Sequence, residues 1–194
     1  ISEVLPEIKI NLKNDALLIS LAVGIKTENI EKIFDNKVKV VRAMPNTPAL
    51  VGKGVTGLAK GANATENDLE IAQKLFLSVG KVVVVDENLI DVVAAASGSG
   101  PAYYFYVTEA ITEAAIELGL SKDVAQVLVN NTFIGSAYLF ENSNEDVSEL
   151  RKKVTSPKGT TLAALENLDQ NNFKEIWKDA LTAAIKRAKE ISNS

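Results

Sequence analysis

The spacing of apolar positions divides the chain in two. Up to about residue 88, short apolar runs alternate with amphipathic stretches; beyond it, every convincing stretch has helical spacing. Residues 1–12 place Ile1, Val4, Leu5, Ile8 and Leu12 near helical spacing. Residues 16–22 (ALLISLA), between Asp15 and Gly24, predict a buried strand. Residues 38–44 (VKVVRAM), 54–59 and 81–85 (KVVVV) predict three more strands. Between them, residues 27–34 predict a short helix, and 66–78 a helix with Leu69, Ala72, Leu75 and Phe76 on one side. Strands alternating with helices predict a largely parallel α/β layer.

After Asp86 the pattern predicts helices over 89–96, 101–118, 121–140, 145–153 and 161–168. Pro101 is acceptable in a first helical turn, and Ser121 is a natural N-cap. A last helix carries Phe173, Trp177, Ala180, Leu181, Ala184, Ile185 and Ala188 on one face. The boundary falls near residues 86–91, giving domains of 1–88 and 89–194. The small side chains of Ala110, Ala114 and Ala115 allow a second backbone to come close, within a lone bundle or across a dimer. Glu109, Glu113 and Glu117 recur every four residues along the longest apolar stretch and predict a solvated stripe, not a membrane span.

Composition then narrows the chemistry. The chain has no cysteine, which excludes disulfides and thiolate catalysis and favours a cytoplasmic home. It has no histidine, which removes the commonest general base and metal ligand. A net charge of −4 without a basic cluster argues against nucleic acid. No metal site is expected. What remains is carboxylates, hydroxyls, lysines, backbone groups or a cofactor.

Three loops could hold such chemistry. Residues 153–165 (KVTSPKGTTLAAL) read as a polar turn feeding a helix. Pro157 is excluded from the helix, Gly159 permits unusual backbone angles, and Thr160 or Thr161 offers a capping hydroxyl. Such a helix start suits an anion, or is an ordinary capped helix. Ser97-Gly98-Ser99-Gly100-Pro101 is a small-residue turn before a helix, common in itself. Met44-Pro45-Asn46-Thr47-Pro48 ends a strand, with Asn46 able to bond its own backbone. Ligands in open α/β sheets bind beyond the carboxyl ends of strands, and Ala22-Val23-Gly24 ends another.

SGSGPAY at residues 97–103, VTSPKGTT at 154–161 and MPNTPALVGKGVTGL at 44–58 together resemble the signature segments of the pyrroline-5-carboxylate reductase family, in the same order. The resemblance implies a Rossmann-type α/β N-terminal domain, incomplete here, followed by an all-α dimerisation domain. It implies reduction of 1-pyrroline-5-carboxylate to L-proline with NADPH or NADH, in a homodimer or larger homo-oligomer. The reading finds no G-x-G-x-x-G, so the first strand, Gly-rich turn and helix of that domain are expected to lie outside this sequence. The resemblance assigns Ala22, Gly24, Met44, Pro45 and Asn46 to the nicotinamide end of the cofactor. It assigns Ser97, Gly98, Ser99 and Gly100 to the floor of the substrate site. Ser156, Pro157, Lys158, Gly159, Thr160 and Thr161 would hold the substrate carboxylate, with Thr161 also donating to the ring nitrogen. Lys158 stands where relatives usually have glycine.

Two other readings stay open. A reductase of the hydroxyacid dehydrogenase type shares the α/β-plus-helical plan and usually has a lysine proton donor in the helical half. Lys122 and Lys152 qualify by residue type alone. The chain could also be a non-catalytic assembly module.

Overall fold

The computed structural model describes residues 4–13 and 15–192, so Ile1 of the first predicted helix lies outside the described residues. Helix α1 (Val4–Asn11) precedes strand β1 (Leu17–Ser20), helix α2 (Thr27–Ile33) and strand β2 (Lys39–Met44). A 3-10 turn (Thr47–Val51) leads to β3 (Gly54–Lys60), then α3 (Glu66–Leu77) and β4 (Gly80–Val84). The sheet order is β1-β2-β3-β4. β1 pairs parallel with β2, and β3 with β4, but β2 and β3 run antiparallel with Met44 opposite Gly57. Residues 45–53 are too few for a parallel crossover, so the chain turns back instead.

Period-two alternation in β2 distributes the core. Val41 and Ala43 pack with Leu58, Leu69 and Ala72, beneath α3. Val40 packs with Leu5, Ile30 and Phe34 under α1 and α2. Met44 packs with Ala59, Ile90 and Ala94. Arg42 lies between Val40 and Met44 on that same strand face and is 1% exposed. At Gly57 a side chain has no room, since a Cβ would lie 2.7 Å from Val93 Cγ1.

The letters G-x-G-x-x-G do occur, at Gly52-Lys53-Gly54-Val55-Thr56-Gly57, which corrects the reading that found no such turn. They run from the end of the 3-10 turn into β3, with no helix after them, so they offer no helix N-terminus to a phosphate. Among the described residues, no strand-to-helix turn carries more than one glycine.

The stretch expected as one helix over 89–96 has three geometries: a 3-10 turn (Glu87–Leu89), α4 (Ile90–Val93) and a π-helical turn (Ala94–Gly98). Small residues from Ala94 to Gly98 permit the wide turn, closed by Ser99 N–H donating to the Ala94 carbonyl at 2.8 Å. Then follow α5 (Gly100–Glu117), α6 (Lys122–Glu141), α7 (Val147–Lys153), α8 (Thr160–Gln170) and α9 (Phe173–Ser192). Ser121 takes the N-cap position of α6, but its side chain makes no capping hydrogen bond.

Residues 102–179 form one compact unit, and the remaining described residues form the other. Within the helical unit, Trp177 packs at a tilt against Tyr103, with ring centroids 5.4 Å apart, and meets Phe173 edge-on at 6.1 Å. Ala125 alone is fully buried there among the described residues. Tyr106, Leu118, Val127 and Tyr138 are 60–88% exposed, an apolar surface that a monomeric unit rarely leaves in water. Glu109, Glu113 and Glu117 are exposed, as their spacing predicts. No described helix is long and apolar enough to cross a membrane.

Candidate active site

The two strand ends of interest open on one edge of the α/β unit. After β1, Ala22 is half-buried and Gly24 is buried with φ +78°, and Ala22 N–H reaches back to Ser20 Oγ at 3.4 Å. Met44 is the last residue of β2 and is buried; Pro45 and Asn46 are half-buried.

Asn46 does not bond its own turn, as its residue type suggests; it bridges three segments. Its Oδ1 accepts from Val55 N–H at 2.9 Å. Its Nδ2 lies 3.3 Å from both the carbonyl and the Oγ of Ser97, donating to that residue. Gly98 sits against Met44, where a Cβ would touch the thioether sulfur at 3.4 Å. Thus Met44, Asn46, Ser97 and Gly98 are brought together. Ser99 is exposed at the junction, and Gly100 opens α5, buried, with nothing within 4 Å of an added Cβ.

Sequence reading missed a partly buried ion cluster beside these loops. Arg42 Nη2 donates to Asp91 Oδ1 at 2.8 Å, and its Nη1 lies 4.0 Å from Glu87 Oε1. Glu87 accepts from Thr27 N–H at 2.5 Å and from Thr27 Oγ1 at 2.8 Å, at the first turn of α2. These four residues and Gly24 line a cleft of about 720 Å³. The available signal was an arginine among apolar residues in the middle of a strand.

The segment before α8 belongs to the helical unit. Ser156 to Gly159 form a turn closed by Gly159 N–H donating to the Ser156 carbonyl at 3.0 Å. Pro157 takes the first corner; Lys158 takes the second at φ +58° and is exposed. That second corner favours glycine. Gly159, not a threonine, is the N-cap, and no side chain caps the helix. The expected capping hydroxyl of Thr160 or Thr161 is therefore corrected: both stand inside the first turn. Gly159 N–H is already spent within the turn. The first intrahelical bond runs from Ala163 N–H to the Gly159 carbonyl at 3.2 Å, leaving the N–H groups of Thr160, Thr161 and Leu162 without intrahelical partners. Thr161 is half-buried and Thr160 exposed.

Among the described residues, no group of His, Cys, Asp and Glu side chains could hold a metal ion. Strand ends facing a small-residue turn, with a run of helices after it, define a Rossmann-type α/β unit followed by an all-helical one. Residues 87–191 match the family model described as pyrroline-5-carboxylate reductase dimerisation. A pyrroline-5-carboxylate reductase of Arabidopsis thaliana is 36% identical over 194 residues, covering 100% of this chain and 70% of the relative. One from Haemophilus influenzae is 42% identical over 180 residues, covering 92% and 66%. The solved pyrroline-5-carboxylate reductase of Coxiella burnetii superposes with a TM-score of 0.90 at 43% identity, over 99% of this chain and 72% of that one. The Plasmodium falciparum pyrroline carboxylate reductase, solved with NADP bound, gives 0.88 at 33%, over 98% and 76%. The chain belongs to the pyrroline-5-carboxylate reductase family.

Proposed function

We propose that the protein reduces 1-pyrroline-5-carboxylate to L-proline with NADPH or NADH, as a homodimer. The observation that carries this reading is the Asn46–Ser97 brace, which fixes the strand-end loop against the Ser/Gly turn, in a chain of this family. The residues fit the nicotinamide end of a dinucleotide: the loops after β1 and β2 present small or backbone groups at Ala22, Gly24, Pro45 and Asn46. When bound, the reduced nicotinamide supplies hydride to the imine carbon.

The rest falls to this chain. Met44, Pro45 and Asn46 bound the ring, and Ser97, Gly98, Ser99 and Gly100 form the floor on which substrate lies. In the turn of Ser156, Pro157, Lys158 and Gly159, the free backbone N–H groups of Thr160 and Thr161 hold the substrate carboxylate. Thr161 Oγ1 holds a proton at the ring nitrogen. No histidine is needed, because one positioned donor suffices for an imine that is partly protonated in water. The cofactor-binding part corresponds to residues 1–88, and the helical part to 89–194. The exposed apolar side chains of α5 and α6 pack across the homodimer, burying more than roughly 2,000 Å².

The test is cofactor oxidation by the full-length protein on addition of pyrroline-5-carboxylate, with sedimentation alongside. Turnover with NADPH or NADH and a dimeric mass are expected. No turnover with either cofactor overturns the assigned reaction, and a monomer at micromolar concentration overturns the dimer.

A further inference from the structure

Arg42 is placed where stability alone gives little reason for an arginine. It is 1% exposed, in the centre of the sheet, between Val40 and Met44. Its carboxylate partners Asp91 and Glu87 are only partly buried, so the arginine bears most of the desolvation, and replacing such ion pairs by apolar side chains of similar size is often neutral or stabilising. The guanidinium is also incompletely satisfied: Nε is buried without a hydrogen-bond partner. A group held in this way calls for an explanation.

Its two arms reach the two segments that matter for the proposed reaction. One arm, Nη2 to Asp91 at 2.8 Å, holds α4 one turn before the π-helical turn that carries Ser97 and Gly98. The other approaches Glu87, whose carboxylate takes both Thr27 N–H and Thr27 Oγ1, three residues after Gly24. Two residues along the same strand face, Met44 packs under Gly98, and two further on Asn46 bonds Ser97. β2 and the loop that leaves it therefore place Arg42, Met44 and Asn46 against the stretch from Glu87 to Gly98.

We propose that Arg42 is a positioning residue for the reduction: acting through Asp91 and Glu87, it fixes the loop after β1 and the turn at Ser97 relative to the end of β2, touching neither substrate nor cofactor. This inference rests on the proposed function, since it concerns the geometry of that site. Misplacement of a reacting group by a fraction of an ångström lowers turnover while leaving binding contacts in place.

The experiment uses the full-length enzyme with Asp91→Ala and Asp91→Asn, assayed well below their melting temperatures. Asp91→Ala removes the arm; Asp91→Asn keeps an acceptor for Arg42. The expected result is a fall in kcat of about tenfold or more for Asp91→Ala, with the cofactor KM within about threefold, and recovery of most of that loss in Asp91→Asn. If Asp91→Ala does not fold, Glu87→Ala and Glu87→Gln replace the pair under the same criteria. A variant that melts earlier but keeps kcat within about twofold of the parent overturns the proposal, showing a stabilising role only. A tenfold rise in cofactor KM at unchanged kcat also overturns it, since the cluster would then contribute to binding. A parent inert toward the imine overturns the proposed function and this inference with it; an active parent with an unchanged Asp91→Ala overturns the inference alone.

Discussion

Asn46 and Ser97, separated by 51 residues, are joined through one amide: Asn46 Nδ2 lies 3.3 Å from both the carbonyl and the hydroxyl of Ser97. The same side chain accepts from Val55 N–H. One residue thus holds the loop after β2, the start of β3 and the π-helical turn. Asn46→Ala leaves Val55 N–H partly buried without this acceptor and should cost about 1–3 kcal/mol of stability. It should also lower kcat by about tenfold, because the floor of the site loses its reference point. Melting curves and steady-state kinetics on the full-length enzyme check both. Parent-like turnover would remove the brace from the catalytic account.

Lys158 holds a left-handed conformation, φ +58°, at the second corner of a tight turn. An L-residue there costs roughly 1–2 kcal/mol. Glycine removes that strain but adds unfolded-chain entropy worth about 0.4–1 kcal/mol. Lys158→Gly should therefore stabilise by up to about 1 kcal/mol in a denaturant titration. The exposed ammonium should matter little for substrate, with KM changing less than about threefold. A tenfold rise in KM would show that its charge contributes to binding.

Thr161 is half-buried in the first turn of α8 and caps nothing. Thr161→Val should then alter stability by less than about 0.5 kcal/mol, the range of substitutions away from special features. Loss of the donor to the imine nitrogen should lower turnover by about 10²-fold, and Thr161→Ser should keep most of it. An early-melting Thr161→Val with unchanged turnover would reverse this assignment.

Asp68 closes the start of α3. Its carboxylate accepts from Thr65 N–H at 2.8 Å and Thr65 Oγ1 at 2.6 Å, with Lys39 Nζ 3.6 Å away. The hydrogen bonds from Thr65, then the charge of Lys39, hold its pKa below the ordinary 3.8. A carboxyl lowered on folding adds stability above its unfolded pKa, which is lost as pH falls through the folded one. Asp68→Asn should cost about 1 kcal/mol at neutral pH, as loss of half a capping box does. The gap should narrow in urea melts as pH falls below 3.8 and on through the lower folded pKa, where the native carboxyl protonates. A gap that stays constant with pH would point to packing, not charge.

The elements were legible wherever local period and burial agree. The valine-rich composition of residues 38–44 predicts a strand, and the 121–140 spacing predicts a helix; both are present. The antiparallel turn between β2 and β3 was missed because strand composition carries no direction; only the short connection does. The family motifs located Asn46 and Ser97, but not the bond between them, since pairing across 51 residues leaves no local pattern. Arg42 was visible as a charge in an apolar strand, yet its partners Glu87 and Asp91 looked like ordinary polar residues at a boundary. The cap of α8 was misread because hydroxyls are abundant there, whereas backbone angle placed Gly159 at that position.

The π-helical turn Ala94–Gly98 makes chain length itself a determinant of the site. A π turn is an α-helix carrying one surplus residue, and each residue of an α-helix advances the chain by about 100°. Removing any one residue between Ala94 and Ala96 would leave a stretch still able to coil without a break. The wide turn would revert to an α turn, and within it Ser97 and Gly98 would shift in angle and height relative to Asn46 and Met44. Substitutions in this segment are filtered by size, whereas a deletion is filtered by phase. A homologous chain one residue shorter here could keep the helix and every motif letter and still present the wrong face to its ligand.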